Sequence, residues 1–268
     1  MDKYLKKNLD HWNEVVPVHE KSTGYDVDGF KAGKCTLKSI ELEEIGDVKG
    51  KSLLHLQCHF GLDTLSWVRR GAKATGMDFS DEAIKLAKSL SEETGIKAEF
   101  ICSDIYKLPE VLKKKYDIVF TSYGVLCWLP DLKKWAEIID HFLKPGGYFY
   151  IAEQHPFTSV FNNEAGVKKL EVTVPYFHNP TPIEWAPNDD YANPAFTSSH
   201  STYEWMHPMG EIVNALIGVG LKVEFLHEFP FVCYKAMPFM HQDNNGDWRL
   251  EGDPLPLTFS LKATKQLG

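Results

Sequence analysis

The sequence predicts an open α/β fold, a Rossmann-like, mostly parallel sheet with helices on both faces, and three observations carry that prediction. The apolar run Leu53-Leu54-His55-Leu56 ends in a turn, Gln57-Cys58-His59-Phe60-Gly61, and a helix-like segment from Leu62 to Arg70 follows, with Leu62, Leu65 and Val68 three apart on one face. Strand and helix signals then alternate from Lys51 onward. Each connection is long enough for a right-handed crossover between parallel strands. The third observation is bulk: 268 residues, 43% of them hydrophobic and 25% charged, suffice for an ample core.

The elements follow in order. Met1 to Lys49 is an aromatic and polar arm, in which Thr36 to Ile45 reads as a short amphipathic helix. Ser52 to Gln57 is the first strand and Lys73 to Phe79 the second. Ser80-Asp81-Glu82 opens a helix, with Ser80 as N-cap and the two acids at the positive end of the helix dipole. Ala83, Leu86, Ala87 and Leu90 form its apolar stripe, and Gly95 stops it. Ala98 to Ser103 and Tyr116 to Tyr123 are the third and fourth strands. Asp131 caps a helix carrying Leu132, Trp135, Ile139 and Phe142. Lys144-Pro145-Gly146-Gly147 ends it, and Tyr148 to Glu153 is the fifth strand.

The register then breaks. Seven of the 15 prolines fall between Pro156 and Pro208. Proline there excludes long helices and central strands, while the density of Tyr, Trp and Phe is too high for a solvated linker. An ordered cap over a pocket is expected. Met209 to Gly220 returns to a helix, Lys222 to His227 to a strand, and Leu255 to Ala263 alternates as a closing strand. The expected organisation is an arm over 1–50, a cofactor-binding core over 51–155, a cap insertion over 156–208 and the rest of the core sheet over 209–268.

Charge and cysteine usage exclude several classes. A formal net charge of −8 argues against a nucleic-acid partner. Lys113-Lys114-Lys115 reads as a solvated helix end. No run is apolar for long enough to span a bilayer, and the charged first residues contain no secretory signal. Five scattered cysteines without a C-x-x-C pair fit reduced thiols in a cytoplasm, with no structural metal.

Chemistry concentrates at the strand ends. Asp78 ends the second strand 21 positions after Gln57, where a carboxylate commonly accepts hydrogen bonds from ribose hydroxyls. Asp104 ends the third strand, over the far end of the same crevice. With these residues, the order of His55-Leu56-Gln57-Cys58-His59-Phe60-Gly61, Gly76-Met77-Asp78-Phe79-Ser80, Ser103-Asp104-Ile105, Asp117-Ile118-Val119-Phe120 and Leu143-Lys144-Pro145-Gly146-Gly147 resembles the class I S-adenosylmethionine-dependent methyltransferases. The resemblance covers Lys51 to Glu153, in the form of a bacterial subgroup with a Leu-Gln-Cys-His-Phe-Gly first motif. It implies a seven-stranded sheet with an antiparallel last strand and S-adenosylmethionine as cofactor. It also implies that the Gln57–Gly61 turn, with His59, faces the methionine part. Asp78 would bind the ribose, Phe79 and Ile105 flank the adenine, Asp104 bind its amino group, and Ser122 and Tyr123 line the cleft near the sulfonium. The sequence departs from the family where an acid usually stands at His55 and glycines at Gln57 and His59.

The expected reaction is methyl transfer to the oxygen or nitrogen of a small molecule by in-line displacement. The fourth motif, Ser122-Tyr123-Gly124-Val125, lacks the box of amino-methylating nucleic-acid enzymes. Trp12, His19, Tyr25, Phe157 and Trp205 are the expected substrate pocket, because aromatics and imidazoles concentrate in the two segments outside the core. His155 is the first choice for a general base and His207 the second. Two alternatives stand beside this reading: a non-catalytic binder of S-adenosylmethionine or S-adenosylhomocysteine, and an NAD-dependent oxidoreductase, which would need an absent G-x-G-x-x-G turn. The oligomeric state is left open.

Overall fold

The computed structural model describes residues 2–267. Seven strands form the main sheet: β1 (Ser52–Leu56), β2 (Lys73–Asp78), β3 (Glu99–Cys102), β4 (Tyr116–Ser122), β5 (Leu143–Gln154), β6 (Leu221–Phe229) and β7 (Thr258–Lys265). Their order is β3-β2-β1-β4-β5-β7-β6. Neighbours from β3 to β5 are parallel, and β7 is antiparallel to both β5 and β6. The expected α/β class with an antiparallel last strand is therefore what the chain adopts. The strand order reverses between β1 and β4, and open α/β sheets bind ligands in the crevice at that switch point.

The helices are α1 (Lys3–Glu20), α2 (Val27–Lys31), α3 (Ser39–Ile45), α4 (Leu62–Arg69), α5 (Asp81–Thr94), α6 (Leu108–Val111), α7 (Leu132–Phe142) and α8 (Met209–Gly218). One face of the sheet packs Leu54, Val119, Phe149 and Leu261 against Trp135, Ile139 and Phe142 of α7 and Leu216 of α8. The other packs Leu53, Phe120 and Tyr150 against Trp67 of α4 and Ile45 of α3. Among the described residues no helix is long and apolar enough to cross a membrane.

Several boundaries differ from the sequence reading: α3 starts at Ser39 rather than Thr36 and β7 at Thr258 rather than Leu255. The fifth strand starts at Leu143 rather than Tyr148, with a register irregularity against β4 between Tyr116 and Ile118. The 18-residue helix α1 shows no clear apolar period, because two of the positions it buries are polar, Asn8 and His19, and Pro17 lies inside it. Asp2 caps it through hydrogen bonds from the Tyr4 and Leu5 amides.

Those buried polar groups join α1 to the cap. The Asn8 side-chain amide donates to the Tyr203 carbonyl (2.7 Å) and its oxygen accepts from the Tyr203 amide (2.8 Å). Glu14 accepts from Ser198 and Ser199, and the rings of Tyr4 and Tyr203 are 4.9 Å apart. Asn13 reaches the start of α5, donating to Asp81 and accepting from the Ser80 hydroxyl. The arm is thereby tied to both core and cap. The cap itself holds a two-stranded ribbon, Ile183–Trp185 with Thr202–Glu204. A three-stranded ribbon over 231–249 closes the molecule near β7 on a small apolar cluster of Val232, Met237, Met240, Leu250 and Leu257.

Candidate active site

β1 delivers the chain into the turn Gln57–Gly61, and three of its residues take left-handed backbone: Gln57 at φ 54°, His59 at φ 50° and Gly61 at φ 76°. The turn thus keeps a glycine-type path with two large side chains on it, at a cost of about 1–2 kcal/mol for each non-glycine residue. Gly61 is irreplaceable on a second ground, since a Cβ there would lie 2.5 Å from the Phe100 ring. The path is pinned by hydrogen bonds. The Cys58 amide donates to the Met77 carbonyl at 2.9 Å, the Gly61 amide to the Cys58 carbonyl at 2.9 Å, and the His59 amide to Asp78 Oδ2 at 2.8 Å.

Asp78 closes β2. Its second oxygen accepts from the Ser80 amide at 2.9 Å, so each oxygen keeps a lone pair for a further donor. Burial pushes its carboxyl up to about 6, against the opposing pull of the backbone amides. Beyond it, Leu5 of α1 and Gln57, Met77, Phe79, Asp104, Ile105 and Trp128 line a cleft that opens to solvent. Asp104 points one oxygen at the Tyr106 amide. Gln57 donates to the Val125 carbonyl at 3.0 Å, while its Oε1 is buried without a partner. The structure brings Gln57, Phe79, Asp104 and Ile105 together at this cleft, with Asp78, His59 and Gly61 on the strand end and turn beside it. A group carrying ribose hydroxyls, an aromatic base and amide-type donors fits these partners.

Ser122 and Tyr123 lie on the other side of the corner. Ser122 Oγ is 3.4 Å from Asp63, in the first turn of α4, and the Tyr123 hydroxyl donates to Glu41 at 2.9 Å. Burial raises both acids, Glu41 to about 7. Glu153, at the end of β5, accepts the amides of Gly124, Val125 and Leu126 and so fixes the loop after β4.

Above this corner the arm, the cap and the β4 loop build an aromatic chamber. Trp12 meets the rings of His59 and Trp128, each at 5.3 Å. Tyr25 stacks on His19 at 5.0 Å, and Tyr191 meets His19 at 4.9 Å. The Tyr25 and Tyr191 hydroxyls are hydrogen-bonded to each other. Tyr191 is 65% exposed, yet surrounding protein drives its phenol far above the ordinary range. Tyr234, 38% exposed, behaves alike.

Within the wall runs a hydrogen-bonded chain. Asp190 Oδ2 lies 2.8 Å from His19 Nε2, and His19 Nδ1 lies 3.0 Å from His59 Nε2. Burial holds both imidazoles below their usual range, and His19 depresses His59 further.

Four sequence expectations are corrected. His155 sits where β5, β6 and β7 meet, 1% exposed, with Nε2 2.9 Å from Glu228 and Nδ1 accepting the Phe157 amide at 3.2 Å. Both nitrogens are engaged, so it offers no base. His207 Nε2 donates to the Leu129 carbonyl at 2.7 Å, and its ring stacks on His178 beside Glu211, fastening the cap to α8. Phe157 stacks between His155 and Tyr176. Trp205 is buried against Tyr4 and donates to the Pro180 carbonyl. Both aromatics pack the cap instead of lining the chamber. Trp12 and Tyr25 stand at its surface, whereas His19 is buried within its wall. Sequence reasoning missed Trp128, Asp190, Tyr191 and Asp63. Of these Asp63 carried a signal as an acid two positions after the glycine corner, and Tyr191 only as one of the cap's many aromatics.

Residues 54–151 match the methyltransferase domain family. A ubiquinone biosynthesis O-methyltransferase from Vibrio atlanticus is 31% identical over 135 residues, 50% of this chain and 56% of that protein. The chain spans about half the length of the curated relatives it matches. Among solved structures, an S-adenosylmethionine-dependent methyltransferase from Mesorhizobium loti aligns with a TM-score of 0.60 at 20% identity, over 87% of this chain and 99% of that one. One from Clostridium acetobutylicum aligns at 0.57 and 15% identity, over 95% and 99%. The match over residues 54–151 gives the chain a methyltransferase domain, and the sheet around it has the fold of these S-adenosylmethionine-dependent methyltransferases.

Proposed function

We propose that the protein transfers the methyl group of S-adenosylmethionine to a small molecule held in the aromatic chamber. The observation that carries this reading is the adjacency of two compartments at the switch point. The cleft beside Asp78 and the aromatic cluster of Trp12, Tyr25 and Tyr191 share the turn Gln57–Gly61 as their common wall. Asp78 would hold the ribose, Asp104 and Gln57 Oε1 the adenine edge, and Asp63 the ammonium of the methionine part. When bound, the cofactor supplies a sulfonium methyl, an electrophile that needs only an aligned nucleophile about 3–3.5 Å away.

The residues of this chain then align the acceptor, exclude water and take its proton. The net charge of −8 supports a small uncharged or cationic acceptor over a nucleic acid. All five cysteines are unpaired, which supports a reducing, cytoplasmic setting. Calorimetry with S-adenosylhomocysteine and with NAD tests the reading. We expect micromolar binding of the first, none of the second, and a loss of about 10- to 100-fold in Asp78→Asn. Binding of NAD alone, or unchanged affinity in the variant, would overturn it.

A further inference from the structure

We propose that Asp190, His19 and His59 act together as the proton acceptor for the methyl-accepting group, and that this group is the hydroxyl of a phenol. The proposal rests on the methyltransferase reading and assigns its base and its substrate class.

The tautomers follow from the chain of contacts. Asp190 Oδ1 accepts the Ala192 and Asn193 amides, and a carboxylate can only accept, so His19 donates to Oδ2 from Nε2 at 2.8 Å. A neutral His19 then presents the lone pair of Nδ1, and His59 donates to it from Nε2 at 3.0 Å. That leaves His59 with Nδ1 unprotonated, a base whose orientation is set by two residues behind it. His19 and Asp190 are buried, whereas His59 is half-exposed, so the chain has one open end.

The backbone gives an independent indication. His59 stands at φ 50°, where glycine would be unstrained. A large side chain held in such strain at a cofactor turn points to use. The groups facing the chain are accounted for. Tyr25 and Tyr191 pack on His19, His11 lies near Asp190, and Asp78 holds the His59 amide. None of these is a cation at neutral pH that would charge His59 or compete for its Nδ1. Burial keeps His59 in its neutral, accepting form.

The walls choose the acceptor. Trp12, Tyr25, Tyr191 and Trp128 present flat faces and edges around His59, which suits a planar aromatic ring. A phenol, with an ordinary pKa of about 10, must lose its proton to react at neutral pH. The step balances: the phenol oxygen forms the bond to the methyl carbon, the carbon–sulfur bond breaks with its electron pair going to sulfur, and the phenol proton goes to His59 Nδ1. The positive charge then spreads toward the Asp190 carboxylate through His19. His59 is the catalytic residue; His19 and Asp190 are positioning residues.

The test combines spectroscopy with turnover, using catechol and benzylamine as probes. Long-range 1H–15N NMR on histidine-labelled protein should show His59 with Nε2 protonated and Nδ1 free at pH 7. Asp190→Asn keeps the oxygen that accepts the Ala192 and Asn193 amides but turns a donor toward His19. It should therefore change the His59 tautomer and move the pH profile of kcat. His59→Asn, chosen because Asn tolerates left-handed backbone, should slow catechol methylation about 100-fold or more. In Asp190→Asn S-adenosylhomocysteine affinity should stay within about threefold. A wild-type His59 protonated on Nδ1 would overturn the proposal. So would catechol turnover unchanged in either variant, or benzylamine methylated while catechol is inert, or neither probe methylated by wild type saturated with cofactor. Failure of wild type to bind S-adenosylhomocysteine would instead refute the underlying reading of the cofactor.

Discussion

Lowering the pH from 7 to 5 should weaken S-adenosylhomocysteine binding about tenfold, through Asp78 alone. In the free protein burial raises this carboxyl to about 6. Ribose hydroxyls donate hydrogen bonds and so select the carboxylate, which holds the bound-state pKa well below that value. One pH unit below 6 only about a tenth of the sites are ionised, and the penalty is about 1.4 kcal/mol. Above pH 7 the affinity should be flat. Stability moves in the opposite sense. A raised folded-state pKa means that the native state holds the proton more tightly than the unfolded chain. This contribution is fully present below about 4 and is lost as pH rises through 6. Bound cofactor offsets that loss, so the thermal shift it produces should be larger at pH 7 than at pH 5. Calorimetry at pH 5, 6, 7 and 8 measures the first effect. Glu41, raised to about 7, titrates in the same range, and Asp78→Asn separates the two: it should bind weakly with no slope between pH 5 and 7. Equal wild-type affinity at pH 5 and 7, or a slope that persists in Asp78→Asn, would refute the assignment of the ribose site.

Three further perturbations follow from contacts already described. Gly61→Ala combines a φ of 76° with a 2.5 Å approach to Phe100 and should destabilise by about 2–4 kcal/mol, seen as a fall in Tm on the order of 10 °C. Asn8→Ala strands the amide and carbonyl of Tyr203; a loss of about 2 kcal/mol and faster proteolytic cleavage at the arm are expected, and an unchanged cleavage rate would show that the clamp is idle. Glu153→Gln leaves one amide oxygen for donors that now occupy two carboxylate oxygens. It should destabilise by about 2–3 kcal/mol and weaken cofactor binding through the loop that Gln57 grips, with denaturant unfolding as the readout.

The core of the fold was legible because its determinants are local. Apolar runs over 53–56 and 118–120, a capped amphipathic helix at Ser80 and glycine punctuation each report on their own neighbourhood. Asp78 was legible for the same reason, since its spacing from Gln57 reflects one βαβ unit. The arm was not, because α1 buries Asn8 and His19 where a periodic reading expects apolar residues; their partners stand 195 and 171 positions away. His155 looked like a base because it follows β5. What disqualifies it is Glu228 of β6 and the β7 strand inserted between them, neither of which is near in sequence. Asp190 and Tyr191 lay in an irregular stretch without period or motif. Only the three-dimensional closure of the cap gives them a role.

The clamp between Asn8 and Tyr203 also bears on how the protein is made. On the ribosome the arm emerges before the core, and the crevice between β1 and β4 can form long before the cap has been synthesised. Until residue 203 has cleared the exit tunnel, α1 lacks its anchor and His19 lacks Asp190. A nascent chain at that stage has Asp78 and the Gln57–Gly61 turn but no chamber. An arrested translation series, assayed for ligand capture at successive lengths, would therefore show nucleoside recognition maturing before the compartment that handles the acceptor.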